Sequence, residues 1–292
     1  MKKLFLAFSL LTATFAANAQ NQTQTTPANT PILSKKGYSI LPEAGDWGLS
    51  FSASPIINYF GNAFHGTGVY TAPTTSYTTP YPNIAQPITA ITGKYFLDAN
   101  TAVRALLGVN MTSNTQKALV DQAGSTSTPP AQVTDKFTAS TTGFYIGAGL
   151  EKRKGIGRVQ GFYGAQAILG IASSSNKYTY GNSLTATHQN DAPQFGQANG
   201  LLQTKSGSTF TIAVVGFIGV EYFFAPKVSL GAEYQWGPSM SFTGQGSTKV
   251  QTWNGATNSV NTTTTKGYTA GSNATSLGLG AGLTSVNLNF YF

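Results

Sequence analysis

Six charged side chains are the residues of this chain whose types and positions could do chemistry together. They lie beside three short connections between apolar segments and are Lys94, Arg104, Glu151, Arg158, Glu221 and Glu233. Three are basic and three are acidic, so inside a protein they would be expected to form ion pairs. Such a set can either plug an interior or form a gate on a narrow ion path.

The two histidines, His65 and His188, are the other candidates, because histidine is the usual general base near neutral pH. Asp191 follows His188 closely, and serines surround both positions. In segments so rich in Ser and Thr, a set of Ser, His and Asp occurs by chance and is no evidence for a catalytic triad. Two histidines without a fixed spacing do not define a metal site. The chain has no cysteine, so it has neither disulfides nor thiolate sites. We predict no catalytic residue, no metal and no cofactor, with both histidines solvent-exposed in loops.

Strands must position the six charges, because apolar and polar residues alternate with a period of two around them. We predict eight strands, at residues 46–57, 87–97, 101–111, 138–151, 158–171, 209–223, 227–242 and 274–292. When the apolar side of each strand is placed outward, every one of the six charges falls on the inner side. Phe162, Ile168 and Phe217 also point inward by this alternation, which favours a filled interior.

The connections between these strands alternate between short and long. The short ones are residues 98–100, 152–157 and 225–226, and the long ones are residues 58–86, 112–137, 172–208 and 243–273. Short periplasmic turns that alternate with long outer loops are typical of transmembrane β-barrels. The long segments are rich in Thr, Ser, Asn and Gly, and we expect mobile loops there.

Composition supports a barrel over a soluble sheet protein. Charged residues make up 9% of the chain, far below the roughly 25% of soluble domains. The mean hydropathy is −0.08, as expected when an apolar outer face alternates with a polar interior. The most apolar internal stretch, residues 212–224, is too short for a membrane-spanning helix and contains Glu221. The net charge of +8 comes without a basic run, which argues against nucleic-acid binding.

The predicted fold is therefore all-β: an antiparallel, up-and-down transmembrane β-barrel of about eight strands with four long outer loops. The N-terminus has Lys2 and Lys3, an apolar stretch and an Ala-Asn-Ala ending, so residues 1–19 read as a signal peptide. Residues 20–45 would form a periplasmic segment, and residues 46–292 the barrel.

The last strand has an apolar side that ends at the terminal Phe292. This pattern resembles the C-terminal signature that the outer-membrane assembly machinery recognises. The whole arrangement resembles the small eight-stranded outer-membrane barrels of the OmpA, OmpX and OmpW type. The stretch G-Y-S-I-L-P-E-A-G-D-W-G-L-S from Gly37 to Ser50 is similar to the start of outer-membrane barrels of the Bacteroidota. The resemblance implies location in the outer membrane of a Gram-negative bacterium, and it supplies no catalytic position.

The function that follows is non-enzymatic, with a structural or surface-interaction role for the outer loops. Expected partners are outer-membrane lipid and lipopolysaccharide, the assembly machinery and an envelope protein. Three alternatives stay open: a narrow pore for small or apolar solutes, an accessory subunit of an envelope complex, and a lipid-modifying enzyme that uses His65 or His188. Because an eight-stranded interior is just wide enough for side chains to fill it, the six charges favour a plug over a pore.

Overall fold

The computed structural model describes residues 32–53, 89–189, 194–267 and 271–292, with residues 89–90 and 276–284 described by their backbone alone. The strands are β1 (Trp47–Ser52), β2 (Thr89–Asp98), β3 (Thr101–Asp121), β4 (Gln132–Ile156), β5 (Val159–Thr179), β6 (Leu201–Lys205), β7 (Thr209–Ala225), β8 (Val228–Thr243), β9 (Ser247–Asn254), β10 (Ser259–Lys266) and β11 (Ser272–Tyr291). No helix in these ranges is long and apolar enough to cross a membrane.

Eight of the strands close into a ring. The ring runs in the order β1, β2, β3, β4, β5, β7, β8 and β11, and β11 pairs with β1. Each pairing around it is antiparallel. At the closure, Trp47 and Phe292 exchange backbone hydrogen bonds of 2.8 and 2.9 Å. These eight strands correspond to the eight predicted ones, and the all-β, up-and-down barrel is confirmed.

The outer wall of the ring is apolar and the interior is packed. Leu107, Ile146 and Ile218 are representative outward side chains, with exposed fractions of 46, 46 and 54%. Phe162, Ile168 and Phe217 point inward and are buried, as the alternation predicts. The sorting follows from strand geometry, because successive side chains of a strand point to opposite faces of the sheet.

Three of the four long connections that were predicted as loops contain additional strand residues. β3 and β4 run past their predicted ends, so residues 112–137 are two paired strand ends around a connection at residues 122–131. Strands β6, β9 and β10 lie in the segments predicted as loops. β10 is mostly threonine and polar on both faces, and neither β6 (LLQTK) nor β9 (STKVQTWN) has a run of alternating apolar residues. The alternation that marks a strand in sequence is therefore missing, although threonine favours strands. The loop predicted at residues 58–86 lies outside the described residues.

These additional strands extend the barrel wall into a second feature, here called the outer sheet. It consists of the ends of β3, β4 and β5 away from the short turns, followed by β6, β9 and β10. One row of paired residues crosses its last four strands: Lys177 pairs with Gln203, Gln203 with Lys249, and Lys249 with Thr264. Six strands therefore continue above the ring on one side.

At the opposite end, the chain before β1 packs against the short turns. Ile40 is buried, and its carbonyl accepts a 3.0 Å hydrogen bond from the backbone N–H of Lys227, in the turn between β7 and β8. The Lys227 ammonium also lies 2.7 Å from a carboxylate oxygen of Asp46. This part of the predicted periplasmic segment is thus joined to the barrel, whereas residues 20–31 are not among the described ones.

Candidate functional site

Six charged residues meet inside the barrel near its short turns and form what we call the lumen ion cluster. Its members are Lys94, Arg104, Glu151, Arg153, Glu221 and Glu233, contributed by β2, β3, β4, β7 and β8. Each is exposed by 5% or less. Three positive and three negative charges balance, which is the condition under which buried charges are tolerated.

Lys94 connects two of the carboxylates. Its ammonium lies 3.1 Å from Glu151 Oε2 and 2.9 Å from Glu221 Oε1. The same ammonium lies 4.8 Å from the centre of the Phe162 ring, within the range of a cation–π contact. The lysine thereby links β2 to β4, two strands away in the ring, and to β7, which lies opposite β2.

Arg104 and Glu233 form the second centre of the cluster. Arg104 NH1 and NH2 donate to the two oxygens of Glu233 at 2.9 and 3.2 Å, a bidentate pair. The guanidinium carbon lies 4.0 Å from the Phe217 ring centre. Gln235 donates to Glu233 at 2.5 Å, and Gln166 donates to Gln235 at 3.2 Å, which extends the network toward the middle of the barrel.

Arg153 completes the cluster at the end nearest the turns. Its guanidinium donates to Glu221 and lies 5.2 to 5.7 Å from the ring centres of Phe96, Phe223 and Tyr291. The Tyr291 hydroxyl donates to both Glu221 oxygens, at 2.9 and 2.8 Å. Glu221 is thus the acceptor shared by Lys94, Arg153 and Tyr291, and aromatic rings surround the cation.

A layer of apolar packing follows above the charges. Tyr145, Ile168, Ala213 and Val215 form a buried cluster across the interior, with Leu106 packed against it. Ion pairs and then apolar side chains therefore fill successive levels of the lumen. Among the side chains that the structure describes, both levels of the interior are occupied, as is typical of an eight-stranded barrel.

The structure brings five of the six predicted charges together and places the sixth elsewhere. Arg158 lies in the turn between β4 and β5, and its guanidinium donates to the carbonyls of Phe223 and Phe224 at 3.2 and 3.1 Å. Its assignment to the lumen was wrong because β4 continues to Ile156 and β5 begins only at Val159, which leaves Arg158 in the turn between them. Arg153 takes its place in the cluster. It shares the inward side with Glu151, two positions away, and a longer β4 would have revealed it from sequence.

Of the two histidines, the structure describes His188. His188 is half-buried in the connection between β5 and β6, where its N–H and carbonyl exchange hydrogen bonds with Thr185 at 3.2 and 2.8 Å. His65 and Asp191 lie outside the described residues. Among the residues that the structure describes, no group of three or more His, Asp and Glu side chains could hold a metal ion.

A pocket of about 430 Å³ lies in the outer sheet, beyond the end of β5. Its lining includes Lys177, Tyr178, Tyr180, Leu202, Gln203 and Lys249. Aromatic, aliphatic and cationic groups line one concavity here, as in sites for small ligands with both apolar and anionic parts.

No protein-family model matches the chain, and no curated protein matches it. A solved structure that is similar to the chain is the outer membrane protein OprG from Pseudomonas aeruginosa. The identity is 10% and the TM-score 0.31, over 87% of this chain and 98% of that one. A TM-score this low carries no weight, so the assignment of the barrel rests on the strand pairing described above.

Proposed function

We propose that the protein is a β-barrel of the Gram-negative outer membrane, exported by residues 1–19, that acts non-enzymatically at the cell surface. Its outward apolar wall on a closed ring supports membrane insertion, because a closed barrel leaves no unpaired strand edge in lipid. The outer sheet, with its pocket, would be the surface that meets ligands or partners.

The packed lumen is the observation that carries this proposal. A solute pore needs a continuous water-filled path, whereas the lumen ion cluster is charge-balanced, buried and capped by the Tyr145 layer. Opening a path would separate pairs such as Arg104–Glu233 in a low-dielectric interior, which is costly. The cluster therefore acts as an internal brace that fixes the barrel, and activity belongs to the outer surface.

Two further partners belong to the proposal. Phe292 follows β11, is exposed and pairs with Trp47 of β1, and the alternating side chains of β11 support its recognition by the barrel-assembly machinery. An envelope protein could bind at the outer sheet or at the segment 38–46, where Tyr38 is 66% exposed. In mild detergent, such a partner would co-purify with the full chain.

Single-channel recording tests the proposal directly. Refolded protein, whose folding is checked by a heat-dependent gel shift, is added to a planar bilayer, and we expect no steady conductance. Glu233→Lys, which breaks the bidentate pair, should produce intermittent leakage, while Glu43→Lys on the exposed surface should stay silent. Steady wild-type conductance that Glu233→Lys alters would overturn the surface function and establish a pore gated by the cluster.

A further inference from the structure

Six lysines share the outward face of the outer sheet. They are Lys117, Lys136, Lys177, Lys205, Lys249 and Lys266, and all are exposed. Within the described part of the chain, none of them forms an ion pair. The term "lysine face" is used below for this set.

Strand pairing places all six on one side. Lys117 lies opposite Lys136 across β3 and β4, and Lys177 is joined to Lys249 through Gln203. In the neighbouring row, Ser247 lies opposite both Lys205 and Lys266. Residues directly opposite each other in an antiparallel pair project from the same face.

This face continues the apolar outer wall of the barrel. Met111, Phe144 and Ile171 point outward, and each is an even number of residues from the lysine of its own strand, so the side is preserved. Ser113, Ser140 and Ser175 lie between the apolar residues and the lysines, paired in one row. From bottom to top the outer wall is thus apolar, then hydroxylated, then basic.

Little negative charge offsets the lysine face. In the described outer sheet, Asp121 is the carboxylate on this side. Asp135 points the other way, is buried, and accepts a 2.8 Å hydrogen bond from the backbone N–H of Gly181. A surface with several lysines and one carboxylate attracts anions, and the attraction adds over the cluster.

The position of the lysines selects the kind of anion. A strand rises about 3.3 Å per residue, so Lys117 and Lys177 lie roughly 20 Å along their strands beyond Met111 and Ile171. With a strand tilt of about 40°, this is on the order of 15 Å above the apolar band. In the outer membrane proposed above, this height lies in the layer of glycolipid sugars and their phosphates.

We propose that the lysine face binds the phosphate groups of the anionic glycolipid, lipopolysaccharide, that surrounds the barrel in the outer leaflet. The inference rests on the proposed insertion in the outer membrane and adds to it a specific lipid contact. The apolar wall contacts the acyl chains, the serine row contacts the first sugars, and the lysines pair with phosphates. Lateral contact with one lipid class would anchor the outer sheet against the leaflet.

The test compares two triple variants in nanodiscs that contain either lipopolysaccharide or its dephosphorylated form. Lys177→Gln/Lys205→Gln/Lys249→Gln removes three charges from the lysine face, and Lys35→Gln/Lys36→Gln/Lys154→Gln removes three from the turn end. Binding is measured as the number of glycolipid molecules that stay bound to the protein after detergent exchange. The measurement is repeated at increasing glycolipid concentration to obtain the affinity. We expect the first triple to weaken retention of the phosphorylated lipid by at least ~10-fold and the second to leave it unchanged.

The outcomes separate the two proposals. Full-length protein that inserts but retains both lipid forms equally, or loses affinity equally in both triples, would overturn the lysine face while leaving membrane insertion standing. Protein that folds in neither nanodisc, judged by the heat-dependent gel shift, would overturn both. Because the six lysines are exposed, the triple variants should fold like the wild type, and the gel shift checks that they do.

Discussion

Glu221 is the residue on which the lumen ion cluster depends most. It accepts from Lys94, Arg153, Tyr291 and Ser229, so replacement by glutamine leaves two buried cations short of one negative charge. We expect Glu221→Gln to lower the free energy of unfolding by about 3–5 kcal/mol, measured by urea denaturation in lipid vesicles. Glu43→Gln, at an exposed site, is the control and should change it by less than about 0.5 kcal/mol. If the two variants had equal free energies of unfolding, the charge of Glu221 would not contribute to the stability of the barrel.

Gly48, beside the lumen ion cluster, leads to a second prediction. A Cβ built on Gly48 would lie 2.7 Å from the Tyr291 ring, whereas one on Gly93 would meet nothing nearer than the Ala105 carbonyl at 3.9 Å. Gly48→Ala should therefore displace Tyr291 from Glu221 and cost about 1–3 kcal/mol. Gly93→Ala, on the paired strand, should be neutral in the same denaturation experiment. Loss of stability in both variants would point to backbone effects instead of the ring contact.

Individual residues also show where reasoning from sequence reached its limit. The inward side of each strand could be predicted, because it is the side opposite the apolar one. This placed five charges correctly: Lys94, Arg104, Glu151, Glu221 and Glu233. The ion-pair partner of each charge could not be predicted, because Arg104 and Glu233 are 129 positions apart and meet only when the ring closes. Arg153 was missed because a strand end cannot be located when its last residues are charged.

Two substitutions in β3 can show which part of the barrel wall faces lipid. The outward Leu107 of this strand belongs to the apolar wall, and its outward Ser113 lies above that wall in the outer sheet; both are exposed. In lipid vesicles Leu107→Arg should cost about 2–4 kcal/mol, whereas Ser113→Arg should cost about 0–1 kcal/mol. The two unfolding free energies are measured side by side. Near-zero cost for both would indicate that water, not lipid, surrounds the wall.

The strands of the outer sheet explain why the elements were only partly predictable. The eight strands of the ring alternate between an apolar and a polar side, and this pattern is visible in sequence. β10 contains the run Thr262–Thr265 and is exposed along its whole length, so neither face carries an apolar signal. It is a strand because its backbone pairs with β9 over eight residues. Such pairing between segments cannot be predicted from the local amino-acid composition.

The molecule as a whole carries exposed lysines at both ends and one buried lysine between them. Lysines at the turn end include Lys35, Lys36 and Lys154, the opposite end carries the lysine face, and Lys94 lies between them at 3% exposure. If the barrel spans the outer membrane as proposed, a reagent on one side should reach only one of the two exposed sets. This expectation links the fold, the packed lumen and the location in a single experiment.

Amine labelling of intact Gram-negative cells that produce the full chain would provide that measurement. The reagent is an activated ester coupled to a polymer too large for general porins, and labelled positions are read by mass spectrometry. We expect partial modification of the lysine face, since the proposed glycolipid contact shields it, and none at Lys35, Lys36 or Lys154. Lys94 should also stay unmodified, because ion pairs and an aromatic ring surround it. After the membrane is dissolved in mild detergent, the turn-end lysines should react and Lys94 should still not. Labelling of both ends in intact cells would contradict a membrane-spanning barrel, and labelling of Lys94 in the folded protein would show that the lumen admits solvent.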